Sequence, residues 1–189
     1  MAENKITFGL TNVHYAVVTE TDDGIDTYGE PKRLRGATEL TFEPRGESSD
    51  FYADNMLYYS TTTNQGYEGT LSVALLPTDF RVDVLGDVMT DGVLTESSNA
   101  KTKRIAFMFE FDGDQKATRH VMYNCTVSRP GFGSTTKTET SEPGTSELTF
   151  VAAPRYDGIV KRSTTDETSE VVYDAWYETV FDPEVTPTI

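Results

Sequence analysis

The alternation of hydrophobic and polar positions predicts a chain built mainly from β-strands. From Arg104 to Phe111 every second residue is large and apolar, which is the period of a strand that buries one face. Arg119–Val127 repeats this pattern. Its predicted inward face carries Val121, Tyr123, Cys125 and Val127. The turn residues Asp112-Gly113-Asp114 between the two segments predict a hairpin.

Further alternating segments predict more strands at Val13–Val18, Ala37–Glu43, Tyr67–Leu76 and Glu147–Ala153. Short strands separated by turns predict a mainly β fold, a β-sandwich or barrel. The predicted core takes its large residues from the inward faces of the strands and from a tryptophan near the end of the chain. These residues are Phe107, Phe109, Phe111, Tyr123, Cys125, Phe150 and Trp176.

Two short α-helices are predicted to flank the strands. The first runs from Thr78, a suitable N-cap, to Leu85, and Gly86 supplies its left-handed end. The second is predicted over Glu170–Phe181, and Pro183 prevents its continuation. Its apolar stripe consists of Val172, Trp176 and Val180.

The remaining segments predict one domain, residues 1–189, with long connections. Asp87–Lys103 and Ser128–Ser146 are polar and rich in turn residues, and we expect long extended loops there. Thr21–Gly29 is typical of a hairpin tip. We expect a flexible N-terminal arm over about residues 1–10 and an extended tail over about residues 182–189.

One aromatic-rich segment, Phe51–Tyr59, is the main functional candidate. Aromatic and other large apolar side chains are concentrated beside turn-rich sequence, a combination typical of surfaces that a partner covers. Core filling is the alternative for the same residues. Thr61–Gly66 is predicted to be a loop after this segment. The candidate intersubunit contacts are Phe51, Tyr52, Met56, Leu57, Tyr58 and Tyr59.

Composition narrows the class of protein. Acidic residues number 31 against 16 basic ones, giving a formal net charge of −15, while 37% of residues are hydrophobic and 11% aromatic. Such a chain is too apolar to be disordered and too acidic for tight nucleic-acid binding. It lacks an apolar run long enough to span a bilayer and a signal-peptide pattern at its start, so we expect no membrane insertion.

Catalytic and metal-binding patterns have little support. Cys125, the single cysteine, lies five residues from His120, and strand parity sends the two side chains to opposite faces, so we expect a buried structural cysteine. The acidic turns at Asp22–Asp26 and Asp112–Asp114 faintly resemble calcium loops, but solvated hairpin tips explain them better. Many glycosidases use a pair of carboxylates, but in so acidic a chain some carboxylates lie close together in any fold, so such pairs give no evidence for this activity. We predict no enzyme activity, cofactor or metal.

Several strings, in order, resemble one family: the major tail proteins, or tail tube proteins, of long-tailed siphophages that infect Gram-positive bacteria. The strings, which span most of the chain, are FGLTNVHYAV from Phe8, FYADN from Phe51, the Tyr58-Tyr59 pair, NQGYEGTL from Asn64, ALLPTDFRVDVLG from Ala74, FEFDGD from Phe109 and RHVMYNCTVSRP from Arg119. No single string is specific to the family, and the resemblance rests on the combination of several strings in this order. Some relatives carry an added immunoglobulin-like domain, which we do not expect here.

The resemblance implies a structural virion protein with the tail-tube type of β-sandwich. It implies hexameric rings of this chain, stacked into the tube through which genomic DNA leaves without specific binding. The implied partners are further copies of the chain, the tape-measure protein, and the tail terminator or distal tail proteins. The implied location is the virion tail, assembled in the cytoplasm of the bacterial host.

Two other functions remain open from the residues. A carbohydrate-binding or adhesion module of a virion would use the same tyrosines as a sugar platform, and a hydrolase lacks any nucleophile constellation. If the chain forms a tube, its acidic excess suggests a lumen that repels DNA phosphates, although the sequence does not identify the carboxylates. The same charge would also keep free subunits soluble.

Overall fold

The computed structural model describes residues 4–21, 25–134, 136 and 144–183. In chain order, its strands are β1 (Thr7–Glu20), β2 (Asp26–Tyr28), β3 (Lys32–Arg33), β4 (Ala37–Pro44), β5 (Ser48–Ala53), β6 (Met56–Thr62), β7 (Tyr67–Val73), β8 (Val88–Thr90), β9 (Val93–Thr95), β10 (Ile105–Gly113), β11 (Thr118–Val127), β12 (Ser146–Ala152) and β13 (Lys161–Ser163). The helices are α1 (Thr78–Asp83), α2 (Glu170–Asp174) and a 3-10 turn (Ala175–Tyr177).

The predicted mainly β fold with a small helix is confirmed, since strand makes up 49% and helix 8% of the structure. The main sheet is antiparallel and runs in the order β2-β1-β10-β11-β12-β7-β4. Two short strands join it off this path: β13 pairs with β11, and β3 pairs with β1. Phe42 on β4 stacks on Phe109 of β10, with ring centroids 5.2 Å apart. Since β11, β12 and β7 lie between those strands in the sheet, the sheet must curl around its core.

The enclosed core contains side chains from the curled sheet and from α1. Phe80 of α1 and Val84, its C-cap residue, are fully buried in it, as the predicted apolar stripe requires. Tyr15 of β1 packs edge-on against Phe80 at 4.9 Å and donates a hydrogen bond to Asp83 at 3.1 Å. Helix α1 therefore closes one side of the barrel-like core.

The ends of α1 differ in part from the prediction. Thr78 is the first helical residue rather than the cap, because Pro77 holds the extended conformation required at the cap position (φ −61°). No side chain caps this end. Gly86 has the expected left-handed conformation, with φ +78°, but α1 ends earlier than predicted, at Asp83, with Val84 as its C-cap residue.

A second cluster covers the opposite face of β1, β10 and β11. Trp176 is buried there with Ala106, Met108 and Tyr123, and Phe181 stacks on it at 5.4 Å. The predicted helix from Glu170 to Phe181 is too long, since α-helix ends at Asp174 and the 3-10 turn at Tyr177. Tyr123 donates to the carbonyl of Phe181. This bond ties the segment after the 3-10 turn to the sheet.

The predicted single inward face of β11 is wrong, because the strand contains a bulge. Met122 lies opposite Phe107 and Cys125 lies opposite Ile105, so three steps on β11 match two on β10. The extra residue reverses the alternation. Met122, Cys125 and Val127 face the enclosed core, while Val121 and Tyr123 face the C-terminal cluster.

The predicted core residues lie in these two clusters. Phe107, Phe109, Cys125 and Phe150 are buried in the enclosed core, and Phe111 is half-buried at its edge. Tyr123 and Trp176 are buried in the C-terminal cluster. Both faces of β10 are therefore covered.

Hydrogen bonds and ion pairs connect the described residues near both chain ends to the rest of the fold. Strand β1 begins at Thr7, and the Asn4 side chain accepts hydrogen bonds from the backbone N–H groups of Gln115 and Lys116, both at 3.0 Å. Near the other end, Asp182 forms ion pairs with Arg155 and Arg162. Residues 1–3 and 184–189 of the predicted arm and tail lie outside the described residues.

Candidate intersubunit surface

The aromatic segment forms a β-hairpin that continues the edge of the main sheet. The pairing of β4 with β7 ends at Pro44 and Tyr67. Beyond this pair, backbone hydrogen bonds between the two segments continue as far as β5 and β6. One of these bonds runs from the Thr63 N–H to the Glu47 carbonyl at 2.9 Å. About ten residues of each segment lie beyond the sheet, which gives an arm of roughly 30 Å at ~3.3 Å per residue.

The sequence of the hairpin tip explains its geometry. Asp54 and Asn55 join β5 to β6, with φ of +52° and +60°. Positive φ at both central residues is the type I′ turn, whose twist matches that of paired strands, and Asp and Asn tolerate it well. The predicted loop Thr61–Gly66 is partly wrong, because Thr61 and Thr62 belong to β6.

All six candidate contact residues are exposed, with values from 53% for Leu57 to 75% for Tyr58. Phe51 pairs with Tyr59 and Tyr52 pairs with Leu57, so Tyr58 is the extra residue of a bulge between the two pairs. The adjacent residues Phe51 and Tyr52 of β5 point to opposite faces of the hairpin. The large side chains therefore occupy both faces. Core filling, the alternative for these residues, is wrong within a single chain.

Within the described ranges, β5 and β6 pair only with each other. A lone two-stranded ribbon is marginally stable in water. Contiguous exposed apolar side chains mark interaction surfaces in soluble proteins. The hairpin thus has both the composition and the geometry of a segment that a partner covers.

A second hairpin, β8–β9, lies within the predicted loop Asp87–Lys103, so that prediction is wrong in part. Asp91 and Gly92 form its turn, with φ of +51° and +78°. Val88, Met89 and Val93 are exposed on it. The Asp-Gly pair between two β-branched runs was a usable hairpin signal.

An arginine anchors the base of this second hairpin. Arg129 donates to Asp87 at 2.8 Å and to the Leu85 carbonyl at 2.7 Å, and its Nη1 lies 3.2 Å from Glu96. Arg81 donates to the other oxygen of Asp87 at 3.0 Å. The fully buried Asp87 carboxylate therefore joins the end of α1 to the start of the loop that follows β11.

A carboxylate-bearing face forms on β4, β7 and β12, on the side of the sheet away from the enclosed core. Its exposed glutamates are Glu39, Glu43, Glu68 and Glu147. Threonines and serine lie among them, including Thr41, Thr70 and Ser72. In these three strands, as described, the outward positions carry no Lys or Arg. Arg45, just beyond β4, lies 3.6 Å from Glu68.

The possible catalytic pair has no functional geometry. The β11 bulge puts His120 and Cys125 on the same face, so the parity argument against their contact is wrong. They still lie five residues apart along a strand, on the order of 15 Å. Burial raises the pKa of the Cys125 thiol to about 12 and lowers that of His120 to about 4. Both groups are therefore neutral near pH 7.

The predicted acidic turns have different outcomes. Asp22, Asp23 and Gly24 lie outside the described residues. Asp112 and Gly113 belong to β10, and Asp114 accepts a hydrogen bond from the Lys5 backbone N–H at 2.8 Å. No group of three or more His, Cys, Asp or Glu in the described ranges is arranged to hold a metal ion. The described helices include none with the length and apolar character of a membrane span.

Comparison with known proteins gives a family over nearly the whole chain. The model of a family described as "Phage tail tube protein" matches residues 2–181. No curated protein sequence matches. Among solved structures, the cap of the anti-feeding prophage, the AFP tube terminating cap, matches with a TM-score of 0.46 and 10% identity over 87% of this chain and 96% of that chain. On the family match, the chain belongs to the phage tail tube protein family and is a structural component of a phage tail.

Proposed function

We propose that this protein assembles into hexameric rings that stack into the tail tube of a siphophage infecting a Gram-positive host, the conduit for DNA ejection. The observation that carries the proposal is the β5–β6 arm, which holds six large apolar side chains in solvent. A tube subunit needs complementary surfaces around the ring and along the stack. An arm of roughly 30 Å can reach past its own subunit to cover a neighbour.

The carboxylate-bearing face is the best candidate for the lumen wall. It is a regular sheet surface, and its glutamates would repel DNA phosphates at close range. A wall without Lys or Arg would neutralise no phosphates and so release no counterions from DNA, and DNA would pass without adhering. The C-terminal cluster covers the neighbouring part of the same sheet side, so that part would lie away from the channel.

The proposed assembly implies partners at the two ends of the tube. The first and last rings present surfaces that other rings would cover, which suits a tail terminator at one end and distal tail proteins at the other. A tape-measure protein would occupy the lumen before DNA. Assembly would take place in the host cytoplasm, where the single cysteine, Cys125, stays reduced.

A carbohydrate-binding or adhesion role is the second candidate, and the exposed Tyr52, Tyr58 and Tyr59 favour it. Exposed tyrosines are amphipathic and suit contacts that are partly wet. The two functions differ in what the arm binds. An adhesion module binds glycans as a single subunit, whereas a tube subunit binds its own copies.

Electron microscopy of the purified protein over a concentration series tests the proposal. Rings or tubes with sixfold symmetry that appear above a threshold concentration are the expected result. A monomer at every concentration that binds glycans through the arm would support the second candidate. Rings of another symmetry would contradict the hexamer while leaving the tube.

A further inference from the structure

A single aromatic side chain projects from the loop that follows β11. Phe132 is fully exposed, between Gly131 and Gly133. A Cβ added at either glycine would meet no described atom within 4 Å, so the loop stands clear of the described residues. Its base is fixed, since Arg129 is bound to Asp87 and to the Leu85 carbonyl. The loop therefore presents a phenylalanine on a short, uncharged segment, residues 130–134.

An open groove of about 760 Å³ lies on another part of the molecule. It runs between residues 27–31, at the end of β2, and the C-terminal segment. Its apolar lining comes from Tyr28, Pro31, Val172, Val180, Phe181 and Pro183. Exposed carboxylates of Glu30 and Glu178 also line it.

We propose that Phe132 of one subunit inserts into this groove on a neighbouring subunit. The inference rests on the proposed function, because the occupant is a second copy of this chain. A projecting apolar group and an apolar groove elsewhere on the same chain make a heterologous contact, which propagates from copy to copy. Such a contact closes into a ring or extends into a stack.

The carboxylates of the groove disfavour two other exposed segments of the chain, the β5–β6 arm and the β8–β9 hairpin. The β5–β6 arm carries Glu47, Asp50 and Asp54 and has no Lys or Arg from residue 46 to 64. The tip of β8–β9 carries Asp91. Either would bring carboxylates towards Glu30 and Glu178, and like charges brought together oppose binding. The segment 130–134, PGFGS, is uncharged.

Cysteine cross-linking tests the contact directly. Native Cys125 is fully buried, so introduced cysteines are the reactive ones. A Gly131→Cys protein, which keeps Phe132, and a size-tagged Thr179→Cys protein, mixed under assembly conditions, should form a disulfide-linked heterodimer, since Gly131 adjoins Phe132 and Thr179 lines the groove. Thr165→Cys, exposed but away from the groove lining, is the matched control and should not cross-link.

Assembly of Phe132 variants gives an independent measurement. Phe132→Ser should raise the threshold concentration for tubes by about tenfold or more, while Phe132→Leu restores part of the loss. Phe132 is exposed, so thermal unfolding of the unassembled variants should match wild type.

The outcomes separate the two proposals. The contact would be overturned if wild type forms tubes, Phe132→Ser assembles equally well, and no cross-link to Thr179→Cys forms. That set of results would leave the proposed tube function standing. A disulfide within one chain of a Gly131→Cys/Thr179→Cys double variant would place the loop in the groove of its own subunit and would also overturn the proposed contact. A wild-type protein that stays monomeric at every concentration would remove both proposals.

Discussion

Arg129 donates a hydrogen bond to the buried carboxylate of Asp87 at 2.8 Å. The bond joins segments that are far apart in the sequence, the start of the β8–β9 hairpin and the base of the loop carrying Phe132. Asp87 has a second arginine partner, Arg81, on its other oxygen. Two exposed segments of the molecule thus share one buried anchor.

Replacing Arg129 with alanine should destabilise the protein by about 2–4 kcal/mol, because the buried Asp87 carboxylate and the Leu85 carbonyl each lose a charged donor. Chemical unfolding followed by circular dichroism measures the change. Arg45→Ala is the matched control: the Arg45–Glu68 pair is exposed and 3.6 Å long, so its loss should cost at most about 1 kcal/mol. Equal effects of the two variants would contradict the anchor.

A Tyr58→Ser/Tyr59→Ser variant should remain folded and lose assembly. Both side chains are exposed, so the free energy of unfolding of the monomer should change by about 0.5 kcal/mol or less for each. Negative-stain microscopy should show no tubes at concentrations where wild type forms them. Tyr156→Ser, an equally exposed tyrosine outside the arm, should assemble normally. Normal tubes from the double variant would remove the arm from the intersubunit contacts.

Gly66→Ala should strongly reduce folding yield. Gly66 has φ +92°, and an added Cβ would lie 1.9 Å from the Ala152 carbonyl oxygen, which belongs to the backbone of the neighbouring strand. Gly92→Ala measures the cost of the positive φ without the steric clash, because Gly92 has φ +78° and no described atom lies within 4 Å of the added Cβ. We expect about 1 kcal/mol for Gly92→Ala and several kcal/mol for Gly66→Ala. Thermal unfolding of the soluble fractions gives the comparison.

Acid should weaken the fold through His120. Burial against Phe109 and Phe111 lowers its pKa from 6.5 to about 4, and the charge of Lys161 adds to this shift. Between those pH values the unfolded chain binds a proton that the folded chain does not, so stability falls as pH drops from 6.5 towards 4. His120→Phe should flatten that part of a plot of unfolding free energy against pH. An unchanged slope would contradict the assignment.

Charge reversal on the carboxylate-bearing face should trap DNA inside tubes. A Glu39→Lys/Glu43→Lys/Glu147→Lys variant would give the proposed lumen a basic wall that binds phosphates at low salt. The measurement is nuclease-resistant short DNA that sediments with the tubes. Glu167→Lys/Glu170→Lys/Asp174→Lys changes net charge equally on the C-terminal side, and DNA bound there should remain nuclease-sensitive. If DNA becomes nuclease-resistant with the second variant and not with the first, the lumen lies on the C-terminal side.

Local patterns in the sequence predicted much of the fold, because strand periodicity depends on neighbouring residues. The strands around Phe107 and Phe150 lie close to the predicted segments. The bulge in β11 was not predictable from alternation, since it depends on how Met122 and Cys125 pair with another strand. The curl that brings Phe42 onto Phe109 is likewise a property of the whole sheet.

The candidate site illustrates a different limit. Phe51 and Tyr58 have the composition of either a core or an interface, and only the placement of the hairpin beyond the sheet separates the two. Phe132 gave no periodic signal, because one aromatic residue between glycines has no pattern. Its exposure, and the groove that suits it, depend on the arrangement of distant segments.

The continuity of the arm with the sheet also has a mechanical consequence. Strand β7 continues into the arm through β6, and it pairs with β12 from Tyr67–Ala152 to Val73–Ser146. Hydrogen bonds of an antiparallel ladder lie perpendicular to the strands, so a pull along the arm loads them together in shear rather than opening them one by one. If neighbouring subunits bind the arm, tension along the tail passes directly into the peptide backbone of each subunit.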